Sequence, residues 1–109
     1  MKGTQIGEFE ELVLLTIATL GEKAYGVAIK DEIESRMQRQ VSIGSLHSTI
    51  TRLEEKGFLI GEFGKATAER GGRRKRYFQI TKNGKVALHK VKDIRDQLWA
   101  ASNYKLALD

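Results

Sequence analysis

The sequence predicts a mainly α domain with a small β-hairpin, an α+β arrangement. Three observations point there. Three amphipathic segments fill the first 57 residues, separated by glycine or short polar turns. Two short β-favouring runs follow, at residues 58–63 and 76–80, with a polar, glycine-bearing stretch between them. The last segment carries apolar residues at alternating spacings of four and three, the pattern of a helix that offers a seam to a partner.

The first helix is expected over residues 7–20. Phe9, Leu12, Val13, Thr16, Ile17 and Leu20 form one apolar face. Glu8, Glu10 and Glu11 lie in its first turn, where the helix dipole favours anions. Gly21 is the expected stop. A second helix is expected over residues 26–37, with Val27, Ile29, Ile33 and Met37 as its apolar positions. Ser42 is placed to cap a third helix. Ile43, Leu46, Ile50 and Leu53 supply the inward stripe of that helix, and Ser45, His47, Ser48, Thr49, Thr51 and Arg52 its outer face. Gly57 ends it. Tyr77, Phe78 and Ile80 favour strand geometry, so residues 64–75 become the loop of a long hairpin. Thr81 caps a last helix that begins near Asn83 and continues past Leu98.

Helix, helix, helix, strand, strand, helix is the order of a winged helix-turn-helix followed by a dimerisation helix. The expected division is residues 1–82 for the DNA-binding domain and 83–109 for the dimerisation helix.

Composition narrows the function classes. The chain of 109 residues is long enough for one domain with a modest core, and it has no cysteine, which excludes disulfides and thiolate metal sites. Oligomerisation is a further source of stability for so small a core. The apolar run at residues 12–20 is shorter than the ~20 residues that span a bilayer and lacks a basic flank. A soluble, cytoplasmic protein without membrane contact is expected. The net charge of +5 is unevenly placed. Residues 1–64 carry 7 Lys/Arg against 10 Asp/Glu, and residues 65–109 carry 12 against 4. Such asymmetry within one domain suits a basic face that meets a polyanion.

Two constellations fit double-stranded DNA. A reading helix buries one stripe and offers short polar or cationic side chains on the other, with its N-terminal residues in the major groove. Ser42, Ser45, His47, Ser48, Thr51 and Arg52 meet that requirement. Glu54 and Glu55 repel phosphate and are expected away from the duplex. The second constellation is Arg73, Arg74, Lys75 and Arg76 after Gly71-Gly72. These cations can neutralise phosphates or place an arginine in the minor groove, although alternation along a strand prevents all four from facing one way.

The final helix suggests a homodimer through Ala87, Val91, Ile94, Leu98 and Ala101, with Phe9 and Leu12 of the first helix as candidates for the same interface. Trp99, beside this seam, is either interface core or one wall of a flat site for a small aromatic effector. No catalytic Ser/His/Asp spacing, metal cluster or phosphate-cradling glycine loop is present, so neither enzyme chemistry, a metal site nor a cofactor is expected. A winged-helix module whose basic patch binds an acidic protein partner is the alternative from another class.

The residues resemble the PadR family of bacterial transcriptional regulators over residues 7–88. The resemblance rests on Tyr25-Gly26, on Val41-Ser42-Ile43-Gly44-Ser45-Leu46 and on Arg52-Leu53-Glu54-Glu55-Lys56-Gly57-Phe58-Leu59-Ile60. It ends with Gly72-Arg73-Arg74-Lys75-Arg76-Tyr77-Phe78-Gln79-Ile80-Thr81-Lys82-Asn83-Gly84. It implies a dimeric winged-helix DNA binder, usually a repressor, with a C-terminal dimerisation helix and, in some members, effector binding. Where the family has a Thr-Leu-Tyr-Pro-like run, this chain has Ser45-Leu46-His47-Ser48. The single short C-terminal helix implies a small effector pocket or none.

Overall fold

A computed structural model describes residues 5–64 and 75–108. Helix α1 (Glu8–Leu20) starts where the Glu10 carboxylate reaches back to accept the Gly7 N–H at 2.7 Å, half of a capping box. Gly21, at φ +58°, closes the helix in a conformation that favours glycine. A 3₁₀ turn, Gly21–Lys23, leads to the fully buried Ala24.

Helix α2 (Gly26–Met37) buries only Ile29 and Ile33, one turn apart. Val27 and Met37, expected inside, are 52% and 46% exposed. Val27 lies two residues from Ile29 and so about 200° around the helix from it, and Met37 sits in the last turn, where α2 ends. Gln38 takes the left-handed conformation, at φ +51°, and turns the chain. The Glu34 carboxylate then accepts the Val41 N–H at 2.8 Å and the Lys30 ammonium at 3.1 Å. These bonds hold its carboxyl below the usual glutamate range and tie α2 to the segment that enters the next helix.

Helix α3 (Ile43–Glu55) is capped as expected, with Ser42 Oγ accepting the Ser45 N–H at 3.0 Å. Its buried stripe is Leu46, Thr49, Ile50 and Leu53. Two expected places are therefore exchanged: Ile43 is 47% exposed, and Thr49 is 1% exposed. The rotation of α3 is set by Leu46, Ile50 and Leu53. Thr49 and Ile43 flank their arc on opposite edges, and tertiary packing buries the Thr49 edge.

Strands β1 (Leu59–Phe63) and β2 (Arg76–Ile80) pair antiparallel, with Gly61 opposite Phe78 and Phe63 opposite Arg76. The hairpin is fastened to the α1–α2 connection. Phe78 N–H donates to the Ala24 carbonyl at 2.9 Å, and Tyr25 bridges Tyr77. Phe58, Leu59 and Phe78 join Val13, Leu14, Ile17, Ile29, Ile33, Leu46, Ile50 and Leu53 in one core.

Helix α4 (Lys82–Ser102) starts at Thr81, whose Oγ1 accepts the Gly84 N–H at 3.1 Å and donates to the Gly57 carbonyl at 2.6 Å. A side chain at Gly84 would place its Cβ 2.4 Å from the Phe58 carbonyl oxygen, so only glycine lets α4 start this close to the hairpin. Ala87 and Leu88 pack against the core. Every described side chain from Lys92 to Ala101 is exposed. The molecule is accordingly elongated, 56 × 36 × 22 Å, with a radius of gyration of 16.2 Å against ~13 Å for a compact chain of about this length.

Candidate nucleic-acid interface

The outward side of α3 is built from short side chains. Gly44, Ser48 and Thr51, spaced by four and three residues, share one exposed stripe. Ser45 and Arg52 lie on the flank towards α1, and His47 lies on the flank towards the hairpin; all three are exposed. Glu55 continues the same stripe at its C-terminal end and is exposed. It thus shares the outward stripe from which it was expected to turn away, and anion-compatible chemistry is confined to the first two to three turns. Gly44, passed over in the sequence, adds no Cβ to this surface, and nothing lies within 4 Å of where one would be.

Arg52 is held rather than free-swinging. Its Nη2 donates to Thr49 Oγ1 at 3.1 Å, and its Nε lies 3.5 Å from Glu10 Oε2. In the sequence, Glu10 is marked only as a first-turn anion. The structure makes it a hub: it accepts Lys56 Nζ at 2.8 and 3.0 Å as well as the Gly7 N–H, and its side chain is 7% exposed. Burial raises its pKa. The Gly7 N–H and the Lys56 and Arg52 cations outweigh that and leave the carboxyl below its usual range. Lys56 also donates to the Gln5 carbonyl at 2.7 Å. The partners lie 46 and 51 residues apart in sequence, so no local pattern could reveal the hub.

At the hairpin, the two described cations of the basic run part company. Lys75 Nζ lies 3.9 Å from the centroid of the Tyr25 ring, which meets Tyr77 edge-on. Arg76 turns to the other face. Its Nη2 bonds Glu54 Oε2, and its Nη1 bonds Oε1 at 3.3 Å. Arg76, expected to meet DNA, is thus paired with Glu54 on α3 while its side chain stays partly exposed. Glu54 is turned to the hairpin, away from the outward stripe. Arg73 and Arg74 lie outside the described residues.

Along α4, Ala87 and Val91 are half-buried, whereas Ile94 (57%), Leu98 (64%) and Ala101 are exposed. Phe9 and Leu12 are not part of that surface. Leu12 lines a groove against α2 with Ile33 and Met37, and Phe9 lies beneath the Arg39 guanidinium at 5.5 Å. The residues of α1 that face α4 are Glu11, Leu15 and Ala18. With Leu88 and Trp99 they line an open groove of about 530 Å³, spanned by an ion pair between Arg95 and Glu11 at 2.7 Å. Among the described residues no group of three acidic or histidine side chains could hold a metal ion, and no helix is long and apolar enough to cross a membrane.

Solved structures share this architecture. A PadR-like regulator from Bacillus cereus superposes with a TM-score of 0.73 at 21% identity, covering 93% of each chain. A PadR-like transcription factor from Bacteroides fragilis gives 0.71 at 22% identity, covering 88% of this chain and 87% of its own. A transcriptional regulator from Clostridium thermocellum gives 0.70 at 20% identity, covering 90% and 92%. No curated protein sequence matches significantly. The sequence profile of the PadR-like transcriptional regulator family matches residues 14–90, the span that holds the capped α3, the hairpin and the Thr81-capped start of α4. With the same helix–helix–helix–hairpin–helix order in the structure, the chain belongs to the PadR-like family of transcriptional regulators, DNA-binding proteins by family.

Proposed function

We propose that this protein is a cytoplasmic, dimeric, sequence-specific repressor that binds double-stranded DNA and performs no catalysis. The observation that carries the reading is the outer stripe of α3. Its first turns expose Ser42, Ser45, His47, Ser48, Thr51 and Arg52 and no carboxylate, beside a hairpin that carries the densest basic run of the chain. Hydroxyl groups on short stems allow close approach to base edges and phosphates. Arg73, Arg74 and Lys75 supply charge to the adjacent backbone or minor groove.

The exposed seam Ile94, Leu98 and Ala101 on a projecting helix supports pairing with a second copy, which would set two α3 helices on two half-sites. The groove beside Trp99 supports a planar aromatic effector, because an exposed indole and apolar walls from α1 and α4 suit ring stacking. Occupancy there would bias how α4 sits on α1, and in a dimer the spacing of the two reading helices.

Duplex binding measured from 50 to 200 mM salt should give a steep negative slope of log K against log salt. Equal affinity across that range would contradict the reading.

A further inference from the structure

We propose that Arg76 acts as a positioning residue: with Glu54, Phe78 and Gly61 it forms a latch that fixes the hairpin against the reading helix, rather than neutralising a phosphate. The inference rests on the DNA-binding reading above. Alternation along β2 puts Arg76 and Phe78 on one face, and Gly61 lies directly opposite Phe78. The guanidinium crosses that face diagonally. Its Cζ is 5.1 Å from the centre of the Phe78 ring, and its two terminal nitrogens meet the two oxygens of Glu54 on α3. End-on pairing of this kind fixes orientation as well as position.

The space for this crossing exists because residue 61 has no side chain. A Cβ there would lie 2.8 Å from Cζ, Nε and Nη2 of Arg76. Three features therefore converge on one guanidinium: a ring beneath it, a missing side chain beside it and a carboxylate at its end. An arginine meant for phosphate would need none of them. Arg76 lies opposite Phe63 at the far end of β1, so the latch fixes the angle at which the described part of the hairpin stands relative to Ser48 and Thr51.

The test separates charge from seating, with the full chain and a duplex it selects from genomic fragments. Gly61→Ala keeps the Arg76 charge but displaces the guanidinium, which is flexible enough to move without unfolding the chain. Gly61→Ala and Arg76→Gln should each weaken binding, by roughly tenfold, and leave the salt slope unchanged. Arg73→Ala should instead lower that slope by about 1. The reversed pair Glu54→Arg with Arg76→Glu should recover affinity that each single reversal loses. Thermal unfolding of each variant without DNA checks that the chain stays folded. A slope lowered by about 1 in Arg76→Gln, with Gly61→Ala binding as the native chain does, would overturn the latch and return Arg76 to the phosphates. So would a reversed pair no better than Arg76→Glu alone. A native chain with no salt-dependent duplex binding would instead overturn the DNA reading itself.

Discussion

Glu10 sits at the crossing of α1 and α3 with its carboxylate almost out of solvent. It collects the Gly7 N–H, Lys56 and Arg52, so a single side chain starts α1, holds the end of α3 and steadies an arginine on the exposed face of α3. Its folded pKa lies below the usual value near 4.5. A depressed carboxyl stabilises the fold above its unfolded pKa, and that stabilisation is lost as pH falls through the folded value. Stability should therefore fall below about pH 4.5 in the native chain. Glu10→Gln should cost about 1–3 kcal/mol at pH 7, since it leaves the Lys56 ammonium without its carboxylate. It should also flatten the acid limb, which urea unfolding at pH 3.5 to 7 would measure. An acid limb identical to the native one would show that Glu10 does not carry it. Glu34 has the same sign of shift and adds to the limb from a more solvated position.

The elements divide by how local their causes are. Helix α2, strand β2 and the caps at Ser42 and Thr81 were legible in the sequence, because a hydroxyl before an apolar stripe and a glycine after it act within one turn. Strand β1 begins one residue later than expected, and α4 one residue before Asn83. The exchange of Ile43 and Thr49 was not legible. Both lie near the edge of the α3 stripe, and only the packing of α3 on α1 and α2 decides which turns inward. The Glu10 hub and the Arg76 latch were equally hidden, since each joins charges from segments far apart in sequence. Helix α4 is half explained by its own chain: its first two turns dock through Thr81 on Gly57, Gly84 against Phe58 and Leu88 on the core, and the remainder exposes Ile94 and Leu98. An apolar seam left in water at that spacing is what a coiled-coil partner covers. Leu98→Glu should convert a dimer into a monomer in sedimentation equilibrium at micromolar concentration, and should remove any dependence of the unfolding temperature on protein concentration. A native chain that sediments as a monomer would contradict the pairing.

At the scale of the whole molecule, the charge asymmetry of the sequence becomes a division of labour. The acidic first half builds the core and spends many of its carboxylates on internal partners: Glu10 on Lys56, Glu34 on Lys30, Glu54 on Arg76 and Glu11 on Arg95. The basic second half carries the cations of the hairpin. On the proposed reading, affinity and salt dependence belong to the basic run, and the choice of sequence belongs to α3. The most direct test is the ratio of affinities for a selected genomic duplex and a scrambled one, measured together with the salt slope. Ser48→Ala with Thr51→Ala should collapse the ratio and leave the slope unchanged. Arg73→Ala with Arg74→Ala should lower the slope by about 2 and leave the ratio close to native. The reverse pattern, or a native chain with no preference between the two duplexes, would contradict the account.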